Sequence, residues 1–92
     1  MTNNLIITYD LGVPGRNYEA VSETIKSLGG YAHVQGSVWY VNSRFDERQA
    51  FAELSKVLDA NDTLLIANGS SNSACWLHLS EGVGNFIKRN WR

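Results

Sequence analysis

Ninety-two residues with eight basic and nine acidic side chains carry a net charge of −1. That balance excludes a general electrostatic pull on phosphate, and a hydrophobic fraction of 43% excludes a disordered chain. The length suits one domain, residues 1–92, burying roughly 60–65% of its unfolded surface, so self-association would add to its stability.

One cysteine, Cys75, has no partner for an internal disulfide and no metal-ligand spacing around it. It reads as a small apolar residue, and a reducing, cytoplasmic setting is expected. No charged segment leads into an apolar signal-like run, and no run approaches membrane-spanning length.

The first element is a strand, Leu5-Ile6-Ile7-Thr8-Tyr9, closed by Asp10. A carboxylate there is held by the sheet while its head faces water. It can bind a metal or position a water; it can also accept N–H bonds from the following loop, Gly12 to Gly15. The next segment predicts a helix from about Asn17 to Leu28, with Asn17 as N-cap and Tyr18, Val21, Ile25 and Leu28 as its apolar stripe. Gly29-Gly30 ends it.

Tyr31–Gln35 and Ser37–Asn42 read as strands joined by a tight hairpin turn at Gly36; Gly36 as a bulge within one bent strand is the other possibility. Asp46 and Gln49 have capping-box spacing at the start of a second helix, whose buried face would be Phe51, Leu54, Val57 and Leu58. Thr63–Ala67 reads as a central or doubly covered strand, and Asn68–Ser73 as an exposed loop. Ala74–Leu79 suits an edge strand. Ser80 suits the cap of a last helix with Val83, Phe86 and Ile87 inward, although Gly82 and Gly84 each weaken it by up to about 1 kcal/mol.

The order strand-helix-strand-strand-helix-strand predicts an α+β fold of the ferredoxin-like split β-α-β type (βαββαβ). The antiparallel sheet would carry its helices on one face, with a core over residues 4–68 and a C-terminal extension over 69–92. The other face would be left bare, a situation commonly resolved by dimerisation.

The strand ending Tyr9-Asp10, the helix, and then Val34-Gln35-Gly36-Ser37-Val38-Trp39 resemble the small CRISPR-associated adaptation subunit, Cas-two, and the related VapD-type proteins. The resemblance covers about residues 5–67. It implies a homodimer joined sheet to sheet, with one aspartate from each subunit near the dimer axis. Asp10 matches that aspartate; Ser37 and Trp39 match the serine and the aromatic residue of the family's hairpin segment. Some members are metal-dependent nucleases for RNA or DNA, and others are non-catalytic bridges that hold an integrase on DNA. The family's loop is often rich in Asp, Lys and Arg; here it reads Leu11-Gly12-Val13-Pro14-Gly15-Arg16. With the long C-terminal segment, that departure points to a stand-alone relative.

Two functions follow as expectations. The favoured one is a homodimeric, non-enzymatic binding or adaptor module for a nucleic acid, a nucleotide-like ligand or a partner protein, with Tyr9, Arg16, Ser37 and Trp39 as binding residues. The alternative is a magnesium- or manganese-dependent nuclease in which Asp10 of both chains holds the metal. His33 and His78 lack any nucleophile in sequence to pair with, and each is expected to make one ordinary hydrogen bond.

Overall fold

The computed structural model describes residues 2–12, 18–70 and 72–90. The chain is α+β, with β1 (Asn3–Asp10), α1 (Tyr18–Ser27), β2 (Gly29–Gln35), β3 (Val38–Ser43), α2 (Glu47–Ser55), β4 (Thr63–Asn68), β5 (Ser73–Leu77) and α3 (Glu81–Asn90). The five strands form one antiparallel sheet in the order β2-β3-β1-β4-β5. The whole chain therefore runs βαββαββα. The six-element order expected from the sequence stops short of it, because the extension adds a strand beside β4 and a helix.

Strand periodicity decides which side of the sheet is core. Along β1, Leu5, Ile7 and Tyr9 are buried and alternate with more exposed neighbours. Their cross-strand partners are Val41 and Trp39 on β3, and Asn68, Ile66 and Leu64 on β4. All eight lie on one face and are at most 6% exposed. Val21, Ile25, Ala50 and Leu54 of α1 and α2 close over that face. Each large aliphatic side chain buried there contributes about 1.5–3 kcal/mol. A one-residue slip would expose the whole set, so the register is strongly specified.

The helices do not all lie on one face. Trp76 of β5 sits opposite Leu65 and alternates with Cys75, which packs toward α2. Trp76 therefore points to the far side, and a Cβ built on Gly84 of α3 would be 3.3 Å from its indole nitrogen. So α3 rests on the face away from α1 and α2. Contact through a glycine leaves Val83 and Phe86 50% and 60% exposed, so neither is the inward anchor the helical pattern suggested; the Ile87 side chain lies outside the described residues.

Local signals otherwise shape the elements. Asp46 Oδ1 accepts the Gln49 N–H at 2.9 Å and Gln49 Oε1 accepts the Asp46 N–H at 2.9 Å, completing the capping box. Helix α2 ends at Ser55, so Val57 and Leu58 pack on the core from the turn beyond it. Strand β2 begins at Gly29 without an intervening loop; φ there is +157° and a Cβ would meet Asn42 O at 2.2 Å, so only glycine fits. Gly36 and Ser37 form the hairpin turn, and the register shift falls beside it, between His33 and Gln35. Tyr18 of the apolar stripe is 40% exposed, and Asn17 lies outside the described residues.

Candidate functional site

Asp10 is the last residue of the central strand β1 and is exposed. It shares the open face with Thr8 and Ile6, two and four residues back. Ile6, 42% exposed, lies between Tyr40 of β3 and Ala67 of β4. Thr63 sits directly across from Asp10, its hydroxyl 3.5 Å from the Asp10 carbonyl oxygen.

Tyr9 and Trp39 point the other way. Tyr9 is 6% exposed and its ring lies 6.2 Å from that of Tyr18. Trp39 is 2% exposed, stacked under His33 at 4.1 Å, with Tyr31 tilted against it at 5.8 Å. Its indole nitrogen is buried without a hydrogen-bond partner among the described residues. Ser37 contributes its backbone carbonyl, which accepts the Tyr9 N–H at 3.2 Å. The structure thus joins Tyr9 to Ser37 through the main chain and sets Asp10 across the sheet from both aromatic rings. Arg16 lies outside the described residues, as do Val13 to Gly15, Trp91 and Arg92. His33 Nε2 pairs with the Gly36 carbonyl at 2.5 Å.

The carboxylate that organises the loop beside Asp10 is Asp62, the residue just before β4. It is 4% exposed, accepting the Gly12 N–H on Oδ1 and the Asp59 N–H on Oδ2, each at 2.8 Å. The ring of His78 pairs with the Asp62 carbonyl. Gly12 must approach closely, since a Cβ there would lie 2.4 Å from Asn61 Cβ. The readable signal was the run Asp59-Ala60-Asn61-Asp62, rich in turn-forming residues whose side chains bond nearby backbone, as Asp59 Oδ1 does in accepting the Asn61 N–H at 3.0 Å.

A second polar cluster lies at the far end of β1. Asn68 was expected in an exposed loop but is 1% exposed. Its Nδ2 donates to Glu47 Oε1 at 2.9 Å and Asn3 Oδ1 at 3.2 Å, and its Oδ1 accepts the Ser70 N–H at 2.9 Å. Burial raises the Glu47 pKa, but hydrogen bonds from Asn68, its own backbone and Ser73, with the charge of Arg48, outweigh this and hold it below the usual glutamate range. Nearby, burial first and then the charges of Glu47 and Asp46 push the Cys75 thiol up to about 11, partly offset by Arg48. Such a thiol is a weak nucleophile at neutral pH.

Between the open face and α3 lies a groove of about 250 Å³. Asp10, Thr8 and Thr63 supply its polar lining, and Leu65, Leu79 and Val83 its apolar lining. Among the described residues, no three His, Cys, Asp or Glu side chains come together as a metal cluster. One chain offers Asp10 alone, too few charged ligands for magnesium or manganese, so a single protomer does not fit the metal and no step is routed through it. No protein-family model matches the chain, and no curated protein or solved structure is significantly similar to it.

Proposed function

We propose that this chain is a small, self-associating, non-enzymatic binding module of the Cas-two-like kind. Two copies would pair through the part of the open sheet face that α3 leaves uncovered, around Ile6, and jointly bind a nucleic acid, a nucleotide-like ligand or a partner protein. The observation that carries the reading is Ile6, an aliphatic residue of the central strand left 42% exposed where its neighbours on the other face are fully buried. Apolar surface at the middle of a sheet favours a covering partner. The first six elements, βαββαβ, support a ferredoxin-like core, with β5 and α3 as additions to it.

Sedimentation equilibrium tests the pairing. The wild type is expected to be dimeric, and Ile6→Glu monomeric with an unchanged circular dichroism spectrum. A monomeric wild type overturns the proposal. Titration of labelled oligonucleotides and nucleotides without added metal then identifies the ligand class, and a partner protein remains if none binds.

A metal-dependent nuclease is the second reading. It is favoured by one placement: Asp10 lies on the same face as Ile6, so pairing there would put both aspartates on a joint surface. It expects magnesium- or manganese-dependent cleavage that Asp10→Ala abolishes. Cleavage that persists in that variant removes Asp10 as the catalyst.

A further inference from the structure

We propose that the groove under α3 binds a short primary alkylamine, with its ammonium at Asp10 and its alkyl stem along Leu65, Leu79 and Val83. The groove takes its walls from one chain, although Thr8 and Asp10 share the face on which the proposed pairing rests. Two strands and a helix shape it. Thr8 and Asp10 are alternate residues of β1, and Leu65 and Thr63 are their partners on β4. The pairing sets the Asp10 carboxylate and the Thr63 hydroxyl together at one end, with Thr8 and Leu65 side by side next to them.

The β5–α3 connection supplies Leu79 as a side wall, and α3 supplies Val83. A volume of about 250 Å³ falls below the roughly 300–1,000 Å³ of drug-sized ligand sites, which selects a small occupant. The sign of its charge follows from the rim. Among the described residues, no lysine or arginine lines the groove. The first turn of α3, whose backbone dipole would favour an anion, carries Glu81 and so is offset. An ammonium group matches Asp10 and can donate to either hydroxyl oxygen, while an alkyl stem displaces water from the leucines.

Butylammonium is the probe, with butyrate and butan-1-ol as controls, read by amide chemical shifts of the full chain. The expected result is saturable shifts at Thr8–Asp10, Thr63–Leu65, Leu79 and Val83 with butylammonium, much weaker shifts with butanol and none with butyrate. Asp10 is exposed, so Asp10→Asn should fold normally and weaken binding by roughly two- to fivefold. Val83→Lys, which places a competing ammonium at the groove, should weaken it further. Equal binding of butanol, unchanged affinity in Asp10→Asn, or no saturable shift with butylammonium overturns the proposal.

Discussion

Two carboxylates one strand apart have opposite environments. Asp10 faces water from the end of β1, while Asp62 is buried and holds two backbone N–H groups of separate segments. Removing Asp62 by Asp62→Ala orphans both donors, at a cost of about 1–3 kcal/mol for each one left unsatisfied. The urea midpoint should fall accordingly, and Asp62→Asn, which keeps one acceptor oxygen, should lose less. Cys75 makes the converse point. Its raised pKa and half-buried position predict slow alkylation by iodoacetamide at pH 8 in the folded protein and rapid alkylation in urea. Fast labelling of the native chain would show that the thiol is neither shielded nor suppressed.

At the level of elements, α3 is the least firmly seated piece. It meets the sheet through Gly84 against Trp76, and its two glycines differ in surroundings. A Cβ at Gly82 would meet nothing within 4 Å, whereas one at Gly84 would press on the indole. Gly82→Ala should therefore stabilise the helix by up to about 1 kcal/mol, seen as greater amide protection along it. Gly84→Leu should instead lift α3 from the sheet and red-shift the Trp76 emission. If Gly84→Leu leaves the emission unchanged, the helix does not pack where the glycine places it. Helix α2, by contrast, is anchored by a complete capping box and was legible residue by residue from Asp46 and Gln49.

For the molecule as a whole, acid stability should reflect the Glu47 cluster that ties β1, β4 and α2 together. The folded-state pKa of Glu47 lies below its unfolded value. Its stabilising contribution is thus full above the unfolded pKa, about 4.3, and is lost as pH falls through that value toward the folded one. Thermal unfolding between neutral pH and pH 3 should show Glu47→Gln losing less stability on acidification than wild type. Parallel curves would remove Glu47 from the acid response.

The α+β class, the first six elements and most of the core were readable in the chain itself, because alternation in strands and the three-to-four spacing in helices are local consequences of backbone geometry. Asp10 at a strand end was readable for the same reason. What no local pattern could supply was the surroundings in which each polar or aromatic group would settle. Asp62 acquired its donors from residues 3 and 50 positions away. Asn68 was drawn inside by Glu47, 21 residues back. Trp39 went under the helices while Trp76 met α3 on the other side. Each outcome depends on which strands become neighbours, and that is settled by burial of the sheet's apolar face as a whole.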